Sequence, residues 1–433
     1  MNKAENGFRP VHYLGNKSRF LEPIVDSVVG LAPEKSTVVD LFAGSGVVTR
    51  GLAAHRRVIS ADIQRYSSIL TEALCNPTVY SVSSQKQLLS AAHDWMERLP
   101  ASALELIRFE DEVSHKSKQH PERFVRMMEE ATLSSAVASD AGFASLKEEA
   151  ERALRPFGAV IGRHYGGAYF SYRQALEIDA LLHTIEHSAG NPANSTLVAA
   201  ILGTASDLAS TVGNHFAQPN RLRARDGSIK IKSMESVLRH RETSALPTFK
   251  SWLQRYSTLP PTKNSCEART SDFRLVLDSL ADSVGVVYAD PPYTRDHYSR
   301  FYHVLETIAL ADEPGVTRAP GSSLPSRGLY RIERHQSPFS IRSKAELAFK
   351  TMFAKLDEST IPLVLSYSPQ GGGTLSRPET RLLTIDRLVE MASDHFRRVE
   401  TVQIPDSTHS RLNRVEYHGS SPKDAEVLII ASH

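Results

Sequence analysis

The sequence predicts an α/β fold, a largely parallel sheet carrying helices and interrupted by one long helical insertion. Three observations predict it. Strand and helix signals alternate from Thr37 to Leu74 and return from Arg269 to Ile430. Between them, from about Tyr80 to Lys263, the alternation gives way to helical periodicity with no visible repeat. Two of the strands run directly into turns whose residues suit ligand binding, at Gly44–Gly46 and at Asp290–Tyr293.

Composition sets the limits. A chain of 433 residues, 41% hydrophobic and 23% charged, has the make-up of a soluble globular protein with room for two or three domains. No apolar run approaches a membrane span and Met1 to Pro10 holds no apolar signal core, so a cytoplasmic protein without a membrane partner is expected. Cys75 and Cys266 are too few for a disulfide framework or a cysteine zinc site; they read as reduced thiols, and no metal is expected. The net charge of +2 is uninformative, but its distribution is not. Val212 to Tyr256 holds nine Lys/Arg (among them Arg221, Arg223, Arg225, Lys230 and Lys232) against three acids, a surplus that suits phosphate contacts or a solvated basic face.

In order along the chain, Tyr13-Leu14-Gly15-Asn16-Lys17 reads as a turn leading into a helix from Ser18 to Val29, with Leu21, Ile24, Val25 and Val28 on one face. Lys17 precedes the first helical turn, where a cation gains nothing from the helix dipole, so it is a candidate for holding an anionic group. Thr37 to Leu41 is a strand, Phe42-Ala43-Gly44-Ser45-Gly46 a tight loop, and Val47 to Ala54 a helix: half of a nucleotide-binding unit. The loop has only two glycines, spaced G-x-G, and does not support a pyrophosphate ligand. The next strand, Val58 to Ala61, ends in Asp62, placed to accept from ribose hydroxyls or to cap the helix from Tyr66 to Leu74.

Within the insertion, helices are expected over Gln87–Leu99, Ala103–Glu112, Pro121–Ala131, Leu146–Leu154, Tyr172–Glu186 and Ser195–Leu208. The aromatics of Tyr169-Phe170-Ser171-Tyr172 are read as core. Beyond it come a strand-to-helix junction at Asp272-Phe273, the strand Val286 to Ala289 and a helix from Tyr298 to Leu310. Residues 312–338 read as a long loop, mobile until substrate binds, whose Arg318, Arg327, Arg331 and Arg334, with Arg342, form a second basic surface. A helix from Lys344 to Leu356, a strand from Ile361 to Tyr367, a glycine loop at Gly371–Gly373, a helix from Pro378 to Ser393 and strands over Arg397–Ile404 and Ala425–Ile430 complete the sheet. Arg411 and Arg414, between the last two strands, are read as phosphate contacts or solvated charges.

The turn Asp290-Pro291-Pro292-Tyr293 carries the most chemistry. Neither proline donates a backbone hydrogen bond, so the strand stops in a stiff turn. A carboxylate and a proline carbonyl offer two acceptors to an amino group, and the phenol ring offers a face to a flat base. The same string is elsewhere a plain strand-ending turn.

These pieces in this order resemble the AdoMet-dependent DNA adenine-N6 methyltransferases of the Dam-like, D12 or α class: Tyr13 to Lys17, Asp40 to Gly46, Asp62, and Asp290 to Tyr293. The resemblance implies a Rossmann-like AdoMet methyltransferase sheet, with catalytic parts at 1–79 and 264–433 around a helical target-recognition domain at 80–263. It implies that Lys17 and the loop Phe42, Ala43, Gly44, Ser45, Gly46 hold the methionine part of AdoMet, with Asp40 bracing the loop or its amino group, that Asp62 binds the ribose and that Asp272 and Phe273 flank the cofactor adenine, with Tyr13 and Ile63 also at the cofactor. Asp290, Pro291, Pro292 and Tyr293 would then hold a flipped target adenine, and the expected DNA contacts are Arg221, Arg223, Arg225, Lys230, Lys232, Arg295, Tyr298, Arg331 and Arg334. Double-stranded DNA is the expected substrate, and a cognate restriction or phage-defence protein an expected partner. Cytosine-N4 methylation, RNA adenine methylation and a non-catalytic DNA-binding regulator remain alternatives, although family members acting on cytosine usually open this turn with Ser.

Overall fold

A computed structural model describes residues 8–130, 141–187, 194–213, 215–295, 297–321, 325–368, 382–405 and 424–433. The chain forms two compact units: Met1–Pro77, Leu259–Ser299 and His335–His433 in the first, Thr78–Thr258 and Arg300–Arg334 in the second.

The first unit is built on a seven-stranded sheet of β1 (Thr37–Asp40), β2 (Arg57–Asp62), β3 (Cys266–Thr270), β4 (Val284–Ala289), β5 (Leu363–Tyr367), β6 (Arg398–Pro405) and β7 (Asp424–Ser432), in the order β3-β2-β1-β4-β5-β7-β6. Strands β1 to β5 pair in parallel, and β7 inserts antiparallel between β5 and β6. Side-chain alternation divides the strands between two cores. Val39, Val287, Ala289, Leu363, Leu365, Val427 and Ile429 pack with Phe349, Met352, Phe353, Leu388 and Met391 on one face. Val38, Val286, Tyr288, Val364 and Leu428 pack with Leu21, Ile24, Val25, Val48 and Leu52 on the other. Buried on both sides, β1 and β5 read as unbroken apolar runs for this reason. The strand order reverses between β1 and β4, which places the ends of those two strands, Asp40 and Asp290, at the switch point where open α/β sheets bind ligands.

The second unit is helical. Its helices Val82–Glu97, Ala101–His115, Pro121–Glu129, Ala141–Leu154, Tyr172–His187 and Ser195–Leu208 match the expected ones within a few residues at each end. Ser195–Leu208 is buried nearly all round, and at Gly203 an added Cβ would come 2.5 Å from the Trp252 ring, so only glycine admits that close crossing. Tyr169, Phe170 and Tyr172 are fully buried, in keeping with the core reading. Asp179 accepts from the backbone N–H groups of Ile161 (2.9 Å) and Gly162 (2.7 Å), and burial, opposed by those two donors, raises its carboxyl to about 8.

The structure differs from expectation in several places, a short unexpected helix at Val160–Tyr165 among them. Helices Ile231–Arg241 and Ala245–Ser257 run through the basic stretch, where charge obscured the spacing of Leu246, Phe249, Leu253 and Tyr256. The helix expected from Tyr298 to Leu310 is broken at Tyr302 into Tyr298–Phe301 and His303–Leu310. Residues 312–321 and 325–334, read as a mobile loop, are pinned inside the second unit. Glu313 accepts from Arg163 (2.8 Å), Arg331 donates to Asp312 (2.6 Å), and the Tyr169 hydroxyl lies 2.8 Å from the Gly328 carbonyl. Such long-range partners leave no local pattern. The expected glycine loop Gly371–Gly373, the helix start at Pro378, and Arg411 and Arg414 lie outside the described residues.

Arg241 and Glu110 form a buried ion pair that ties Ala101–His115 to Ile231–Arg241, with Arg241 also donating to the Gly167 carbonyl at 2.5 Å. Removing one partner leaves a buried charge uncompensated. Glu110→Ala is expected to destabilise the second unit by about 3–5 kcal/mol, read as an earlier urea transition of the tryptophans, both of which lie in that unit.

Candidate active site

One cavity in the first unit gathers the glycine loop, the end of β2, the Asp272–Phe273 junction and the Asp290–Tyr293 turn. The loop geometry follows from its residues. Gly44 and Gly46 adopt φ of +54° and +78°, in the left-handed region that favours glycine. A Cβ at Gly46 would stand 2.7 Å from Thr71 Oγ1, and one at Gly44 would stand 2.9 Å from the Tyr13 hydroxyl. The loop therefore packs backbone-close against both, and Tyr13, 5.9 Å from the ring of Tyr298, walls the cavity.

Asp62 braces this loop. Its Oδ2 accepts from Gly44 N–H at 3.0 Å and its Oδ1 from Gln64 N–H at 2.9 Å, while the following helix is capped at Gln64 rather than at Asp62. Burial raises its carboxyl, against those two donors. Asp40, 1% exposed, accepts from Thr49 Oγ1 at 2.6 Å, and its Oδ1 meets no donor among the described residues. Burial lifts Asp40 to about 7, with Thr49 opposing and the neighbouring Asp290 and Asp62 adding to the rise. On the other side, Phe42, Phe273 and Phe339 form an aromatic cluster with centroid separations of 5.0–5.9 Å. Asp272 caps the helix Phe273–Asp278 through Arg274 N–H and also accepts from the Arg274 guanidinium.

At the turn, Tyr293 packs on Tyr367 with centroids 5.0 Å apart. The buried Lys17 ammonium stands 3.1 Å from Asp290 Oδ1, 2.8 Å from Glu426 Oε1 on β7 and 5.7 Å from the Tyr293 ring centroid. Burial works against its charge, yet Asp290 and Glu426 outweigh it and hold the amine well above its ordinary value. Lys17 was expected at the cofactor's methionine end; the structure shows its ammonium held between two carboxylates. Burial raises Asp290 itself to about 7, against Lys17 and with Glu426. Sequence reasoning missed Glu426, Ser366 and Phe339, which sit in a strand, a strand and a short 3-10 turn with no local signal.

All of the expected cofactor and catalytic residues except Gly46, namely Tyr13, Lys17, Asp40, Phe42, Ala43, Gly44, Ser45, Asp62, Ile63, Asp272, Phe273, Asp290, Pro291, Pro292 and Tyr293, line this one cavity; Gly46 closes the loop behind it. Tyr298, expected at DNA, lines it too. Of the other expected DNA contacts, Arg221, Arg225, Lys230, Lys232 and Arg295 are exposed. Arg223 is already neutralised by Glu122 (2.6 Å) and Glu129 (2.9 Å). Arg331 is 4% exposed and committed to Asp312, and Arg334 donates to the Arg331 carbonyl, so these two are framework cations rather than open phosphate contacts.

The family model for D12 class N6 adenine-specific DNA methyltransferase matches residues 13–140 and 231–323, just over half of the chain. The chain belongs to this family. It is also similar to Modification methylase LlaI of Lactococcus lactis subsp. lactis, at 24% identity over 428 residues, covering 97% of this chain and 54% of that protein. The chain spans about half the length of this relative. Among the described residues no helix is long and apolar enough to cross a membrane.

The family's turn is held here by one cation, and removing it strands two carboxylates. Lys17→Met is expected to cost about 3–5 kcal/mol near pH 8. Without the cation Asp290 takes a folded-state pKa further above its unfolded one. The deficit is then smallest at low pH, where Asp290 is protonated, and grows as pH rises through neutrality. Urea unfolding of wild type and variant at about pH 5 and about pH 8 checks the sign.

Proposed function

We propose that the protein transfers a methyl group from AdoMet to the N6 amino group of an adenine in double-stranded DNA. The observation that carries this reading is the meeting, in one cavity, of a glycine loop braced by Asp62 and the Asp290-Pro291-Pro292-Tyr293 turn.

The residues present fit AdoMet. Asp40 Oδ1 is a buried acceptor lacking a donor among the described residues, suited to the amino group of the methionine end. Asp62 suits the ribose hydroxyls, with Ile63 beside it. Phe42 and Phe273, backed by the buried Phe339, with Asp272 suit the adenine ring and its amino group. When bound, AdoMet supplies an electrophilic methyl group on its sulfonium.

The chain's own residues prepare the acceptor nitrogen. The lone pair of an adenine amino group is delocalised into the ring and makes it a weak nucleophile. Hydrogen bonds from its two N–H groups to Asp290 and to the Pro291 carbonyl favour a pyramidal nitrogen whose lone pair is available for in-line attack. Tyr293 offers a face on which the base stacks, offsetting the neighbours lost when it leaves the duplex. Pro292 keeps the turn stiff. Positioning and electrostatics then lower the barrier without a covalent intermediate on the protein. The second unit, with exposed Arg221, Arg225, Lys230 and Lys232, suits contacts to DNA phosphates and the reading of the target site. Restriction-modification, with a cognate nuclease as partner, is the setting that a modification methylase relative favours.

Asp290→Ala is expected to abolish transfer while AdoMet still binds. Base-modification mapping of DNA from a methylation-free host, together with calorimetric AdoMet binding, reads both; a fixed motif carrying N6-methyladenine in the variant as well would overturn the role. Replacing Arg225, Lys230 and Lys232 together with Ala is expected to weaken DNA binding for every sequence alike. The slope of log K against log salt should become shallower by about 3, measured by fluorescence anisotropy.

A further inference from the structure

The reaction described above leaves one buried acid unused. Glu426 on β7 is fully buried, its Oε1 accepting from Lys17 Nζ at 2.8 Å and from Ser366 Oγ at 2.6 Å, and its Oε2 meeting no donor among the described residues. A neutral glutamine oxygen could accept the same two bonds without the cost of a buried charge. What a carboxylate adds is the charge itself. The groups around Asp290 are Lys17 from the turn before the first helix, Glu426 from β7, Asp40 from β1, and Tyr288 and Tyr293 from β4 and its turn, with Asp62, Asp272, His297 and His335 in the same cavity. Lys17 is the one lysine or arginine in that set. A single ammonium thus stands between two carboxylates, 3.1 Å from one and 2.8 Å from the other.

We propose that Glu426 is a positioning residue for the target-base acceptor: by holding Lys17 it divides one cation between two carboxylates and so leaves Asp290 a stronger hydrogen-bond acceptor than a private ion pair would. This rests on the adenine-methylation reading only for its consequence in catalysis; the division of the cation is a property of the free protein. The direction of the electrostatics agrees, since Lys17 lowers the proton affinity of Asp290 and Glu426 raises it. Ser366 enters with a definite sign. Its hydroxyl supports the Glu426 charge, so without it Glu426 draws on Lys17 more strongly and Asp290 on it less.

The test is a carbon-13 NMR titration of the full chain labelled at aspartate Cγ, with the Asp290 signal assigned by its loss in Asp290→Asn. Wild-type Asp290 is expected to titrate near 7. In Glu426→Gln, shown folded by near-ultraviolet circular dichroism, its midpoint is expected to fall by about one pH unit, a roughly tenfold loss of proton affinity. In Ser366→Ala it is expected to rise. An unmoved Asp290 midpoint in folded Glu426→Gln overturns the proposal; if that variant does not fold, an unmoved or lowered midpoint in Ser366→Ala does so. The acid limb of kcat, measured with labelled AdoMet and methyl-free DNA at saturation, is expected to move with the NMR midpoint while the plateau falls. A merely structural role would lower the plateau and leave the limb in place. Wild-type protein that methylates no adenine would overturn the function proposed above, and the NMR arm would still decide the role of Glu426.

Discussion

The contact on which the site depends is the Lys17 ammonium buried between Asp290 and Glu426. It joins three parts of the chain that share nothing in sequence: the turn before the first helix, the end of β4, and β7, 409 residues beyond Lys17. Each carboxylate alone would be costly at that depth, and the cation offsets much of that cost while fixing the direction in which Asp290 faces. Lys17 can reach both because β7 inserts antiparallel beside β5, which puts Glu426 and Ser366 next to the end of β4. The sheet order is thereby a requirement of the site and not only its support.

Around that contact the first unit separates rigid from polar parts. Apolar residues alternate cleanly along the strands and meet helices on both faces, so the strand ends are fixed in height and register. The acids of the cavity stand where those strands stop. Asp40 and Asp62 are held by Thr49 and by backbone N–H groups, and Asp290 by Lys17, so three acids share one cavity without being free to rotate. Burial of these acids raises the proton affinity of each, which is the electrostatic condition for strong acceptors near neutral pH.

The second unit uses its charges in two ways that composition cannot separate. Arg163, Arg241 and Arg331 are buried and bound to Glu313, Glu110 and Asp312, where they join helices and segments far apart in the chain. Arg221, Arg225, Lys230, Lys232, Arg239 and Lys250 remain exposed. A count of basic residues in the sequence merges both groups. The fold separates them, because a guanidinium that meets a carboxylate and a carbonyl in the interior is no longer available to a phosphate.

By itself the sequence determined whatever depends on neighbours along the chain. The apolar runs of β1, β4 and β5, the glycine loop with its two positive-φ residues, the stiff Asp290–Tyr293 turn and the periodic helices from Val82 to Leu208 are all written in spacing and residue type. It also carried the cavity-lining Asp40, Phe42 to Ser45 and Asp62, since they stand at or beside strand ends that the local pattern locates. Only the tertiary structure decided which charges meet. Glu426 reads as one more acid at the start of a strand, Phe339 as one aromatic in a loop, and Arg331 as one more surface cation. Their partners lie tens to hundreds of residues away, beyond the reach of any periodicity. Burial and pairing are properties of packed surfaces, and no stretch of chain read alone contains the surface against which it packs.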